Sequence, residues 1–231
     1  MKRALAIFLL ASSVLGVSSA LGQSQPCQDV ADDPHYSVVF ESNRVRILTL
    51  EVRRGETTKA VCNKAPFLSI VTSASKTVTT VTGQAGIRHE WIPGEGRFSY
   101  KPTERAVRND AAEAHRRVEI ETFLPIPYDP LATNYDIDFF AGDLSSVKAT
   151  ASTSSSRGAL TATRIQLAAG DQWALTGADH ALIALSDLAL KSDSGEELTL
   201  QQHDVQVLQG GKIKAITNSG RQPVRFVVVD F

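Results

Sequence analysis

The stretch whose reading decides the fold closes the chain: Asp204–Phe231, DVQVLQGGKIKAITNSGRQPVRFVVVDF. It holds three strand-like runs, Val205–Leu208, Lys214–Thr217 and Val224–Phe231. Gly210-Gly211 and Asn218-Ser219-Gly220 separate them, and Gly and Asn are turn residues because they tolerate positive φ. Short apolar runs joined by tight turns read as the closing half of a small antiparallel β-barrel. A weaker copy of the same pattern, Gly94–Asn109, ends the first half of the chain.

Working outward, the upstream segments repeat this grammar. His35–Glu41 and Arg44–Arg53 alternate apolar and polar residues, as strands with one buried face do. Phe67–Thr72, Lys76–Val81, Arg88–Trp91, Arg97–Tyr100, Ala106–Arg108 and Val118–Phe123 follow, rich in Val and Thr. Ala111–Arg117 fits either a short helical turn or a polar loop. Pro125, Pro127 and Pro130 lack the donor a central strand needs, so they mark a boundary between two units. Asn134–Phe140 (NYDIDFF) then echoes His35–Phe40 (HYSVVF) and restarts the pattern. The small polar run Ser145–Arg157 reads as a loop within the second unit. Strands resume at Thr163–Leu167, Ala181–Leu185, Leu188–Lys191 and Glu197–Leu200. The expectation is an all-β protein of two units, 23–130 and 131–231, with a Ser/Thr-rich loop at 145–158.

Met1-Lys2-Arg3, the apolar run Ala4–Val17 and the small residues Ser18–Gly22 make a secretory leader, cleaved after Ala20 or Gly22. The run is too short for a span, which takes roughly 20 apolar residues. The expected location is therefore periplasmic or extracellular, with no membrane attachment after cleavage. Gln25-Pro26 before Cys27 lacks the apolar-small pattern of a lipidated cysteine. The formal net charge of −1 becomes slightly more acidic when Lys2 and Arg3 leave. No basic patch stands out, which argues against a nucleic-acid partner. The two cysteines, Cys27 and Cys62, read as a disulfide in an oxidising compartment or as two separate thiols.

The two closing stretches and the glycines upstream of them resemble the cupin family, and two such units resemble a bicupin of paired jelly-roll barrels. Gly55 and Gly170 stand at the opening Gly of the family's first motif. Gly94 with Asn109, and His203 with Gly211 and Asn218, bracket the second motif; Arg105 precedes Asn109 by the same interval as Lys214 precedes Asn218. The metal-ligand positions that the resemblance implies hold other residues: Val61, Asn63, Phe67 or Leu68 and Arg105 in the first unit, and Thr176, Ala178, Leu182 or Ile183 and Lys214 in the second. A divalent metal needs several converging imidazole or carboxylate donors, and arginine cannot supply one. Neither a metal nor any other cofactor is expected. If Val61 and Asn63 face inward as ligand positions do, Cys62 between them faces outward, within reach of the segment carrying Cys27.

The remaining candidates are polar groups at those inward positions. Arg105 and Lys214 each need an acidic partner, an anionic ligand or an exit to solvent, because a buried unpaired cation is costly. Asn63 lies beside them on the pattern, and His180 leads a strand near the mouth of the second barrel, as a pocket group or as a satisfied structural histidine. His35 and His203 read as surface residues, and Trp91 and Trp173 as core. No nucleophile elbow, phosphate loop or zinc spacing is present. The sequence favours a non-catalytic protein that binds a small molecule, with an anion as one option, or serves a structural role. The alternative is an enzyme with a non-standard or metal-free site. Edge strands need cover between the units or in a homodimer, so a monomer or a dimer fits.

Overall fold

The computed structural model describes residues 27–101, 103–126, 137–140 and 149–231. The expected leader, residues 1–22, therefore lies outside the described residues, as do Asn134–Asp136 of the echo. Among the described residues, eighteen strands and one short 3-10 turn (Val30–Asp32) make up the regular structure. They are β1 (Tyr36–Glu41), β2 (Val45–Val52), β3 (Phe67–Val71), β4 (Ser75–Val81), β5 (Ile87–Trp91), β6 (Gly96–Ser99), β7 (Arg105–Asn109), β8 (His115–Thr122) and β9 (Ile137–Phe140). The second half supplies β10 (Ala151–Arg157), β11 (Leu160–Leu167), β12 (Gln172–Ala174), β13 (His180–Ala184), β14 (Leu188–Ser192), β15 (Glu197–Leu200), β16 (Val205–Leu208), β17 (Ala215–Asn218) and β18 (Val224–Asp230).

Each unit is two facing antiparallel sheets. In the first, a six-stranded sheet (β1-β2-β8-β3-β6-β9) faces a three-stranded one (β5-β4-β7); in the second, a five-stranded sheet (β10-β11-β18-β13-β16) faces a four-stranded one (β12-β17-β14-β15). The repeat is visible in the register. Val52 pairs with His115 three residues before Gly55, and Leu167 pairs with Val224 three residues before Gly170. Gly55 N–H donates to the Asn109 carbonyl at 2.9 Å, and Gly170 N–H to the Asn218 carbonyl at 2.9 Å. The Asn109 amide donates to the carbonyls of Val52 and Glu113, while that of Asn218 donates to those of Leu167 and Gln222. Gly55 and Gly170 have φ of +76° and +81°. The glycine and asparagine positions read from the sequence are thus the same turn anchor, built twice.

The alternation of each large sheet produces two kinds of core. Val45, Ile47, Leu68, Ile70, Phe98, Val118 and Ile120 point out of the first barrel; they pack against Leu160, Ala162, Ala181, Ile183, Val227 and Val229 of the second. The large sheets therefore lie back to back on a shared apolar layer, in which each fully buried aliphatic side chain contributes about 1.5–3 kcal/mol. The opposite faces line the barrel interiors.

Three expectations need correction. Ile137–Phe140 does not open the second unit: β9 pairs antiparallel with β6 at the edge of the first unit's sheet. The echo with residues 35–40 reflected strand propensity, which carries no information about the pairing partner. In the Ser/Thr-rich segment, Ala151–Arg157 is not a loop but an edge strand on β11, while residues 145–148 lie outside the described residues. Its hydroxyls pair across the hairpin, Ser154 with Thr163 at 2.8 Å and Ser156 with Thr161 at 2.9 Å. Hydroxyl pairs of this kind stabilise an exposed strand without an apolar face. Finally, of the two readings left open for Ala111–Arg117 the helical turn fails: residues 111–114 are loop, and β8 starts at His115.

Candidate functional site

The two barrel interiors differ in kind. Between the sheets of the second unit lie Ile165, Leu167, Leu182, Ile216, Phe226 and Val228 with further aliphatic neighbours, a continuous apolar core. In the first unit the apolar set is smaller, Val30, Tyr36, Leu48, Leu50, Val52 and Val61, and the rest of the lumen is polar. Alternation along β8 points His115, Arg117, Glu119 and Glu121 inward, all buried, where β18 presents Val224, Phe226, Val228 and Asp230.

Glu119, fully buried, is the hub. Its Oε1 accepts from two guanidinium groups, Arg117 Nη2 at 2.6 Å and Arg105 Nη2 at 3.0 Å. Its Oε2 accepts from Asn63 Nδ2 at 2.9 Å, and Asn63 Oδ1 accepts from Arg105 Nη2 at 2.7 Å. The Arg105 guanidinium lies over the Phe67 ring at 4.3 Å, a cation–π contact strengthened by desolvation. Arg117 Nη2 donates also to the Tyr36 hydroxyl at 3.1 Å. Burial alone raises the Glu119 carboxyl, but the charges of Arg117 and Arg105 and the Asn63 bond outweigh it and hold the group below the usual carboxylate range. Tyr36 is pushed up by burial and by the Glu119 charge. His115 is fully buried with Nδ1 at 2.7 Å from Ser75 Oγ; burial, then the Arg117 charge, lowers its pKa to about 3. Arg105 Nη1 and His115 Nε2 are buried in this lumen with no hydrogen-bond partner among the described residues.

A second ionic cluster closes the end of the barrel where the chain enters. Arg46 is bidentate to Glu121 (2.6 and 2.9 Å) and to Asp29 (2.8 and 2.9 Å), and Lys64 Nζ reaches Asp29 at 2.8 Å. Burial raises Asp29, but the bonds from Arg46 and Lys64 override it and hold the carboxyl well below its usual range. The Cys27–Cys62 disulfide, with Cα atoms 5.8 Å apart, ties the entering segment to this end. Val61 and Asn63 are buried and Cys62 is half-buried between them, as the alternation required.

Of the residues singled out from sequence, Arg105 and Asn63 meet in the first lumen. Lys214 does not face the second: it is exposed, and its backbone is held, its N–H donating to Asp193 Oδ1 at 3.1 Å and its carbonyl accepting from Leu175 N–H at 2.8 Å. The alternation breaks before Ala215, so that Ile213 is buried instead. An inward ammonium there has no partner, because Val228 occupies the position of Glu119. His180 is buried at the end of the second barrel with Nδ1 at 2.7 Å from Asp230 Oδ1 and Nε2 at 3.1 Å from the Thr176 carbonyl, so it uses both ring nitrogens within the protein. His35 is held by Asp33 at 2.7 Å. His203 is not a plain surface residue: it is half-buried, with φ of +82° and Nδ1 at 3.1 Å from Thr72 Oγ1 of the other unit. Among the described residues, no three His, Cys, Asp or Glu side chains are grouped to hold a metal ion. Sequence reading missed Glu119, Arg117, His115 and Tyr36. The signal was the spacing of polar residues in HRRVEIET, whose polar face an isolated strand presents to solvent.

No family model matches the sequence and no curated protein matches it. Solved structures do. The salicylate 1,2-dioxygenase of Pseudoaminobacter salicylatoxidans, in adducts with gentisate, aligns over 90% of this chain and 76% of its own at a TM-score of 0.59 and 11% identity. A cupin 2 conserved barrel domain protein from Leptotrichia buccalis aligns over 84% of this chain and 87% of its own, with a TM-score of 0.53 and 10% identity. AerE from Microcystis aeruginosa gives a TM-score of 0.64 over 85% of this chain and 92% of its own at 10% identity. At such identities the likeness is one of fold. The chain is an all-β protein of the cupin fold, with two jelly rolls in tandem, and its first barrel carries a buried arginine–glutamate lattice.

Proposed function

We propose that this chain is an exported, non-catalytic binding protein whose first barrel holds a small anion. The observation that carries the reading is Arg105 Nη1, a buried donor in the lumen with no acceptor. The Glu119 oxygen that Arg105 uses is shared with Arg117. One carboxylate facing two guanidinium groups leaves positive potential in a low-dielectric interior, and a carboxylate or inorganic oxyanion accepts from a guanidinium fork with suitable geometry. Among the described residues, the second barrel, filled with aliphatic side chains, offers no comparable site. Export is supported by the leader-like residues 1–22 and by the Cys27–Cys62 bridge, which suits an oxidising compartment.

The test is calorimetric titration of the mature protein with formate, acetate, oxalate, malonate and phosphate at fixed ionic strength. The reading expects at least one of them to bind, Arg105→Gln to abolish that binding and Lys214→Gln to leave it intact. Absence of binding across the panel, or equal binding by Arg105→Gln, refutes it.

A further inference from the structure

The two units repeat one pairing register, and the repeat is broken at one end. Strand β6 of the first unit corresponds to β16 of the second: Leu68 pairs with Phe98 and Ile70 with Gly96, as Ala181 pairs with Val207 and Ile183 with Val205. The turns before them correspond too. Gly94 N–H donates to Val71 and His203 N–H to Ala184, at φ of +89° and +82°. On β6 the outer edge is taken by β9, which also lies against β10. Phe140 of β9 is buried in the shared core, and Arg164, Phe140 and Gly94 close that end, with Arg164 Nη1 at 3.3 Å from the Gly94 carbonyl and its guanidinium 5.4 Å from the Phe140 ring.

At the opposite end, among the described residues, β16 is the last strand of its sheet and β1 the last of the other. Thr49 occupies the position of Arg164, since each pairs with the matching residue of β8 or β18, Val118 or Val227. A cleft of about 800 Å³ opens there, lined by Ser37, Thr49, Thr72, His203, Val205 and Gln206 among others. Ala184 N–H donates to the Asp204 carbonyl, which fixes the strand phase: the N–H and C=O groups of Val205 and Val207 point away from β13, toward the free edge. His203 adopts a backbone conformation that suits glycine and costs about 1 kcal/mol or more. Its imidazole reaches across to Thr72 and props the turn that walls the cleft.

We propose that this cleft receives an extended peptide from another polypeptide, which adds antiparallel to the edge of β16 as β9 adds to β6. A bulky apolar side chain opposite Val205 would sit over Thr49, where Phe140 sits by Arg164. The recognising groups are the backbone donors and acceptors of Val205 and Val207, with side-chain selectivity from the cleft floor. The identity of an occupant as a strand follows from the chain's own use of the equivalent edge.

The probe is a fluorescein-labelled peptide of the chain's own segment 134–142 (NYDIDFFAG), titrated by anisotropy into the mature protein, with a scrambled peptide as control. Saturable one-to-one binding is expected, together with hydrogen-exchange protection of the Val205 and Val207 amides. Val207→Pro removes one edge donor, and an edge strand tolerates proline where the N–H faces outward. It should weaken binding at least about tenfold while its melting temperature shows it folded. Binding that survives Val207→Pro, or none at millimolar peptide, overturns the proposal. So does concentration-dependent protection of those amides without peptide, which would assign the edge to a second copy of the chain.

Discussion

His115 makes the fold acid-sensitive in a measurable window. The ring is fully buried beside Arg117, and folding lowers its pKa from 6.5 to about 3. Between those values the unfolded chain binds a proton that the folded chain refuses, so stability rises with pH across the window and is complete above the unfolded pKa. Each pH unit below the unfolded pKa costs about 1.4 kcal/mol, so moving from about pH 7 to about pH 4.5 removes roughly 2–3 kcal/mol through this residue alone. The control is His115→Val, because Val224 fills the corresponding position in the second barrel. Lowered carboxylates such as Glu119 and Asp29 lose their stabilisation as pH falls further, and they do so in both proteins. Urea unfolding of the disulfide-intact chains at the two pH values should show the wild type losing about 2–3 kcal/mol more than the variant. An equal loss in both, or an NMR titration of this imidazole near neutral pH, would refute the assignment of a neutral buried histidine.

Three further outcomes follow from the same packing. Glu119→Gln leaves Arg105 and Arg117 buried without a counter-charge and should cost about 3–5 kcal/mol by urea unfolding, far more than an exposed carboxylate would. Replacing Cys27 and Cys62 by serine should cost about 2–4 kcal/mol, read as a drop in the urea midpoint that reductant produces in the wild type but not in the variant. Gly94→Ala should cost about 1–3 kcal/mol in the same assay. It puts a side chain at φ +89° and a Cβ 2.8 Å from Arg164 Cδ and 2.9 Å from Leu185 Cδ1.

What could be read without coordinates was what local chemistry dictates. Gly55 and Gly170 announce positive φ, Asn109 and Asn218 announce a side chain that satisfies turn carbonyls, and their spacing carried the repeat. The Cys27–Cys62 bridge was one of two open readings of an even cysteine pair, favoured by the outward Cys62 that the cupin resemblance implies, and it is present. Strand partners were less legible, because β9 carries a strand's propensity whichever sheet it joins. The lattice was least legible. A polar face on HRRVEIET marks the solvent side of an isolated strand, and only the layer of β4, β5 and β7 turns it into an interior. Arg105 and Lys214 have the same spacing to their asparagines, yet one faces inward and the other outward. The deciding residues, Glu119 and Val228, lie on other strands.

That contrast also bears on what the first barrel can hold. A divalent cation site needs donors whose summed charge is negative or neutral, converging on one point. Around Glu119 the lumen presents Arg105, Arg117 and the amide of Asn63, with one carboxylate oxygen shared by both guanidinium groups. On the proposed reading, two guanidinium groups against one carboxylate disfavour a cation and favour an anion, and the low dielectric amplifies either. Such a lattice is expensive to desolvate unless its hydrogen bonds are met. The back-to-back apolar layer and the aliphatic second barrel supply the burial that lets the fold carry it. On this view the two barrels have diverged into a stabilising half and a polar half, and an unmet donor in the polar half is where a ligand has most to gain.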